Sequence, residues 1–462
     1  MKIFLNPWGI ILSATLLIAT GASAVTFTNI YVFPPDGFTT IDGSLADTNA
    51  DGIAPDSLVL VGDTLYGTAI NGGTYGDGTL FRVNTDGTHF TNFVNFTRGT
   101  YDPSSGFYDG STGSQPNAGL LLVSNTLYGT TFYGGHFDAG TVFKINLDGS
   151  GFSLMKEFAF TNGQSPSSGL TLYNNVLYGT TTDGGTNINA AGTVFEIGLD
   201  GQGFSDIYQF TNLEVPYGGV AVSSNGIFGF THGGGANSDG YVYRVGTGGY
   251  ADLLDFNGDN GWASYATPTL NGNTLYGVTY QGGTNSSGNI FRIDTTGKNF
   301  TNLYNFSPAN GANTDGVQPY EFSGLVLSGN TLYGTASLKG SGGQGTVFKI
   351  STSGTNYTVL HSFQYTDGAQ PGELVLSGGT LYGVAEYGVQ GISLGVGSIF
   401  KLILSPNLNL SRTSTNVVLT WDDPSYSLYS ALTLTNTFTK ISGATSPYTN
   451  GIPGKQKYFK IQ

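Results

Sequence analysis

The chain has 462 residues, with 30 acidic against 16 basic side chains, a formal charge of −14, no cysteine, 73 glycines and 13% aromatic residues. Such a charge repels phosphate backbones and argues against a nucleic-acid partner. The missing cysteine excludes disulfides, thiolate metal sites and a lipid on an N-terminal cysteine.

Residues 1–24 read as a secretory signal. Lys2 supplies the positive start, Ile10 to Ala19 the apolar stretch, and Ala22-Ser23-Ala24 the small-residue cleavage site. The apolar run is too short to span a bilayer, and no later segment approaches about 18 unbroken apolar residues. An exported chain, secreted or held at the cell surface, without a transmembrane segment in its mature form, is expected; so is a monomer. Without disulfides it needs a large core, which a chain of this length can build. Abundant glycine with only 10% charged residues could mean low complexity, but the aromatic content and regular apolar spacing argue for β structure with many turns.

An aromatic segment, FTNIYVF at 27–33, comes first. Then a three-part unit repeats. Leu-Tyr-Gly ends at Gly67, Gly129, Gly179, Gly277, Gly334 and Gly383, with Ile227-Phe228-Gly229 as a diverged copy, giving seven copies spaced 48 to 62 residues apart. Each is followed by a G-T-V-F-K-I-like segment (78–83, 140–145, 192–197, 240–245, 288–293, 345–350, 397–402). Six of these are followed by a segment like the first one, at 90–96, 152–158, 204–210, 250–256, 300–306 and 357–363. A short apolar strand such as SLVLVG (57–62) precedes each Leu-Tyr-Gly.

Four short strands, A to D, in roughly 50 residues is the grammar of a propeller blade. The seventh D strand is missing at the end and present at the start, at 27–33. An open solenoid has no use for that displacement, whereas a ring needs it to tie its two ends together. The expected fold is therefore all-β: a seven-bladed propeller over 25–404, closed by the N-terminal strand. Asp86-Gly87, Asp148-Gly149 and Asp200-Gly201 supply the positive φ of tight C–D hairpins. Rings on strands B, C and D are expected to interleave between blades.

These elements resemble the GloVer tandem-repeat proteins (choice-of-anchor tandem repeat proteins), which share an L-Y-G-T-T…G-G…G-T-V-F-K-I…D-G…F…L…F pattern. The resemblance covers about residues 26–404. It implies an exported repeat protein with interchangeable C-terminal anchors and brings no catalytic residues. Two units depart from the pattern: Trp262-Ala263-Ser264 replaces Asp-Gly-x-x-Pro, and Phe228 replaces tyrosine. Residues 405–462 lack the repeat; strands at 416–421, 427–434 and 457–461 suggest a small C-terminal β domain, serving surface retention or acting as an inert cap.

Asp47-Thr48-Asn49-Ala50-Asp51-Gly52 has the 1,3,5 oxygen spacing of a calcium loop, but its twelfth position is Leu58 where a glutamate belongs. Similar Asp-Gly pairs at 109–110, 315–316 and 367–368 favour a repeated turn, so no cofactor is expected, calcium being the one candidate. Gly391-Ile392-Ser393-Leu394-Gly395 and the G-x-G-x-x-G run from Gly340 to Gly345 open strands rather than helices, and are decoys for a hydrolase elbow and a dinucleotide loop. His89 and His361 fall in a turn and a D strand; His136 and His232 fall in equivalent B–C loops two blades apart.

The long connections are D–A and B–C, which leave a propeller on the same face, and loops on a rigid scaffold are where binding resides. The D–A loops hold Tyr101, Phe107, Tyr108, Trp262, Tyr265 and Tyr320 among Asn, Ser, Thr and Gly. Such rings and neutral polar groups suit sugars or peptides. The expected function is a non-enzymatic scaffold that binds a polysaccharide or a surface protein through this face. The alternatives are a polysaccharide-processing enzyme, for which no acid, Lys or His cluster at the central funnel is evident, and a structural or adhesion element of the cell surface.

Overall fold

The computed structural model describes residues 25–34, 38–41, 44–47, 49–186, 189–310, 313–319, 324–388, 397–404, 408–412, 416–421, 427–431, 437, 439–451 and 458–461. The signal region, Tyr320 and the Gly391–Gly395 run lie outside these. Seven four-stranded antiparallel sheets form the blades.

Strands A to D are Ile53–Val61, Thr64–Asn71, Thr79–Asn84 and Thr91–Asn95 in blade 1. In blade 2 they are Leu121–Val123, Thr126–Thr131, Thr141–Asn146 and Ser153–Glu157. Blade 3 has Thr171–Tyr173, Val176–Thr181, Ala190–Gly198 and Ser205–Thr211; blade 4 has Ala221–Ser223, Gly226–Phe230, Tyr241–Gly246 and Gly249–Asp255. Blade 5 has Thr269–Asn271, Thr274–Thr279, Asn289–Asp294 and Thr301–Asn305; blade 6 has Val326–Ser328, Thr331–Ala336, Thr346–Ser351 and Thr358–Ser362.

Blade 7 takes Ala369–Ser377, Thr380–Tyr387 and Ser398–Ile403 from the end of the repeat region, and its D strand, Thr26–Val32, from the beginning. Phe27 lies opposite Leu402 and Val32 opposite Ser398, and the Phe33 amide donates to the Gly397 carbonyl at 3.1 Å. The ring is closed by the displaced strand.

The repeated residues each have a mechanical reason. In Leu-Tyr-Gly the leucine is buried, and the glycine faces the phenylalanine of G-T-V-F across the B–C ladder: a Cβ on Gly129 would lie 2.6 Å from the Phe143 ring. The glycine of G-T-V-F makes room for the next blade. Pro116, Pro166 and Pro371 place their Cδ atoms 2.5 Å from where Gly78, Gly140 and Gly345 would carry a Cβ, and Pro55 meets Gly397 in the same way across the closing junction.

The last phenylalanine of each D segment (Phe33, Phe96, Phe158, Phe210, Phe256, Phe306 and Phe363) is fully buried. The fifth residue of each D segment covers the first ring of the next blade. Tyr31 stacks on Phe90 at 4.1 Å, Tyr208 on Tyr250 at 4.1 Å, Tyr304 on Tyr357 at 3.8 Å and His361 on Phe27 at 3.9 Å. Val94 packs with Phe152, Lys156 lies over Phe204 at 4.2 Å, and Leu254 packs with Phe300. Each apolar cluster therefore spans two blades, so the core is a ring of seven junctions, with nearest-neighbour energetics.

Strands A surround the axis, bonded to one another through side chains: Thr171 Oγ1 donates to the Val220 carbonyl at 2.6 Å and Thr269 Oγ1 to Leu325 at 2.7 Å. On one face the D–A connections bridge the B–C connections, as in Ser114 with Tyr133, Gln164 with Asp183, Trp262 with Gln281 and Val317 with Leu338. Beyond the ring, two three-stranded sheets use Leu408–Arg412, Asn416–Trp421 and Tyr448–Gly451, and Thr439–Lys440, Leu428–Ala431 and Tyr458–Ile461. Among the described residues no helix is long and apolar enough to cross a membrane.

Candidate functional site

The loop-rich face carries two aromatic groupings and a groove. The first grouping is a hairpin inserted between blades 1 and 2, Thr100–Asp102 paired with Phe107–Asp109. Its turn is held by Asp102, which accepts from the Ser104 amide at 2.8 Å and hydroxyl at 2.7 Å. Tyr101 and Tyr108 stand opposite each other with ring centroids 5.2 Å apart. Phe107 packs on His136 at 4.4 Å and Phe137 at 5.2 Å, and the Tyr108 amide donates to the His136 carbonyl at 3.1 Å. Arg98, ion-paired with Asp138, lies over the rings of Tyr108 (5.5 Å) and Tyr133 (4.9 Å). Phe107 and Tyr108 are thereby pinned, whereas Tyr101 is 51% exposed.

The groove, about 740 Å³, runs between the loops of blades 2, 3 and 4. Phe132 and Tyr133 form one wall; Leu213, Val215 and Tyr217 form the other, and Gln164, Thr182, Asp183 and Asn189 supply amide, hydroxyl and carboxylate groups. Leu213 projects at the rim, 78% exposed on a left-handed backbone (φ +72°).

The second grouping continues that wall. Tyr217 packs against Tyr265 at 5.1 Å, Tyr265 against His232 at 4.8 Å and against Tyr280 at 5.5 Å. Burial pulls the His232 imidazole below the usual histidine range, so it stays neutral at pH 7. His136 and His232 thus join separate groupings. Trp262 stands apart, 42% exposed, its backbone bridged to Gln281.

In the calcium candidate, Asn49 and Asp51 make bonds within the protein. The Asn49 side chain donates to the Pro34 carbonyl and accepts from the Asp51 amide at 2.9 Å, and the Tyr31 hydroxyl donates to Asp51 at 2.5 Å. The Asp47 side chain lies outside the described residues. The same turn recurs at Asn313 and Asp315, where the Gly316 amide donates to Asn313 at 2.9 Å and the Tyr304 hydroxyl to Asp315 at 2.6 Å. Among the described residues no group of three or more His, Asp or Glu side chains is arranged to hold a metal ion.

A sequence profile for the Gloeobacter/Verrucomicrobia repeat matches residues 18–214 and 189–317. The chain belongs to the Gloeobacter/Verrucomicrobia repeat family. A comparison with curated proteins finds no match for this repeat protein. Among solved structures it is similar to a puromycin hydrolase (11% identity, TM-score 0.48, 80% of this chain and 59% of that one) and to a putative 6-phosphogluconolactonase from Bacteroides fragilis (14%, 0.45, 86% and 97%). The computationally designed Ika8 protein is also similar (13%, 0.43, 80% and 96%). At these identities the likeness concerns the fold alone.

Sequence reasoning about this repeat protein missed two things. Phe132, Tyr133 and Tyr217 line the groove. The first two follow directly on strand B, and Tyr217 follows Pro216 where blade 2 has Asn117, so aromatic residues departing from the repeat were the available signal. It also missed Asp56 and Glu373, which reach the axis from blades 1 and 7, with Glu386 beside Asp56. The Leu58 amide donates to Glu373 at 3.3 Å. Burial and the charge of Glu386 push Asp56 up to about 7; burial and the charge of Asp56 push Glu373 up to about 8. Burial raises Glu386 as well. All three are half-buried.

Proposed function

We propose that this protein is an exported, non-enzymatic scaffold that binds polysaccharide through its D–A/B–C face. The groove between blades 2 and 4 is the main contact, and Tyr101 with Trp262 are outlying platforms. The groove's combination of ring faces with amide, hydroxyl and carboxylate groups carries this reading, because sugar rings stack on aromatic faces while their hydroxyls take hydrogen bonds. The face is built on a closed ring, so the walls are presented with little ordering cost. Export rests on the character of residues 1–24.

The test is retention of the purified mature chain on a panel of insoluble and soluble glycans. Tyr217→Ala and Tyr133→Ala should each weaken retention about fivefold or more, the loss of one good stacking contact being worth on the order of 1 kcal/mol or above. Trp262→Ala and Tyr108→Ala should weaken it less. No retention across the panel, or retention indifferent to all four changes, refutes the reading; capture of a surface protein on the same face would move it to a protein ligand. The axial carboxyls favour a second reading, a polysaccharide-processing enzyme, since acids poised near neutrality suit general acid–base work. Release of new reducing ends from the same panel, lost in Glu373→Gln, would establish it.

A further inference from the structure

The blade 7–blade 1 junction differs from the others at the axis. The positions that reach inward at the start of strand A are neutral and small in blades 2 to 5: Ala118-Gly119, Ser168-Gly169, Gly218-Gly219 and Ala266-Thr267. In blades 1 and 7 the proline-to-leucine spacing is shorter, and Asp56 and Glu373 occupy those places. Both sit at bulges in the A–B ladder, between Pro55 and Ser57 and between Pro371 and Leu374, and a bulge re-aims its side chain. The two acids are on adjoining blades that are far apart in sequence and joined only when the ring closes.

What faces them is known on each side. Strand B of blade 7 brings Glu386, whose carboxylate accepts a hydrogen bond from the Tyr387 hydroxyl; strand A of blade 1 offers the Leu58 amide; the start of blade 2 offers the backbone around Gly119, where a Cβ would lie 3.6 Å from Glu373. Strands A and B of blades 7 and 1 contain no Lys, Arg or His. Lys401, on strand C of blade 7, turns to the opposite face and donates to the Thr85 carbonyl at 3.4 Å. Residues 320–323, Glu321 among them, lie outside the described residues. Asp56 lies between two carboxyls, Glu373 and Glu386, without a counter-ion on their strands, so all three cannot ionise without strong repulsion centred on Asp56.

We propose that Asp56, Glu373 and Glu386 form a proton-controlled latch at the blade 7–blade 1 junction, closed while the carboxyls hold protons and loosened there, rather than elsewhere in the ring, when all three ionise. The absence of cysteine allows a clean test by paired spin labels. Thr28→Cys with Thr91→Cys spans the closing junction, and Thr301→Cys with Thr358→Cys spans the junction of blades 5 and 6; all four positions are exposed on D strands. Between pH 5.5 and pH 9 the distance distribution across the closing junction should lengthen and broaden, while that between blades 5 and 6 stays fixed. Glu373→Gln should reduce the response, and Asp56→Asn with Glu373→Gln should abolish it. An unchanged closing junction at pH 9, the same change at both junctions, or a full response in a folded double variant would each overturn the proposal. The comparison of junctions in the unmutated axis decides the matter even if the double variant does not fold.

Discussion

Gly140→Ala should cost far more than Gly272→Ala, although both glycines have a positive φ. At Gly272 (φ +59°) nothing lies within 4 Å of an added Cβ, so the change costs only the left-handed backbone, about 1 kcal/mol. At Gly140 (φ +94°) the Cβ would lie 2.5 Å from Pro166 Cδ of the next blade and 2.6 Å from the Thr131 carbonyl oxygen of its own blade. Overpacking of this kind adds about 1–3 kcal/mol, bringing the total to roughly 4 kcal/mol. In a protein this large that corresponds to a fall in melting temperature of roughly 6 °C, against roughly 2 °C for Gly272→Ala. Differential scanning calorimetry measures both. Because the proline supplies part of the clash, Pro166→Ala combined with Gly140→Ala should be less damaging than the two single changes summed, by about 1–2 kcal/mol. A Gly140→Ala protein melting within 1 °C of Gly272→Ala, by direct comparison, or a pair of strictly additive changes, would show that the proline–glycine contact does not join the blades.

Phe33→Ala should destabilise as strongly as Phe158→Ala, about 3–5 kcal/mol by chemical denaturation, because a residue contributed by the first strand fills the same buried place in blade 7 as Phe158 fills in blade 2. A near-neutral Phe33→Ala would detach the N-terminal strand from the core. Calcium added to chelator-treated protein should give no binding heat and no thermal shift, since Asn49 and Asp51 already serve the turn; a saturable isotherm would contradict that. Stability should fall as pH rises from about 4 to 8. The unfolded chain releases the Asp56 and Glu373 protons near the ordinary carboxyl range, whereas the folded chain holds them until about 7 and 8. For Asp56 alone the loss is on the order of 4 kcal/mol, and Asp56→Asn should flatten the slope in denaturant titrations at pH 5 and pH 8. An equal slope in wild type and variant would remove Asp56 as its source.

Much of the fold was legible because a propeller is built by nearest-neighbour repetition. Leu-Tyr-Gly, G-T-V-F and the D-segment phenylalanines each report a contact that recurs seven times, and the displaced FTNIYVF copy reports closure. The candidate site was legible only in part. The aromatic content of the D–A loops and the face they share with B–C loops could be read, and Tyr101, Phe107, Tyr108 and Tyr265 lie on that face. The repeat says nothing about its exceptions, however, and Phe132, Tyr133 and Tyr217 converge on one groove only through the separate paths of three blades.

The amino-acid order by itself determined the number of blades, their strands, the closing segment and the absence of thiol chemistry, because these follow from local spacing and repetition. Only the tertiary structure decided which rings share a wall and which carboxyls meet at the axis. Asp56 and Glu373 are more than 300 positions apart and meet because the ring shuts, and proximity between distant residues is a property of the closed chain, not of any local pattern within it.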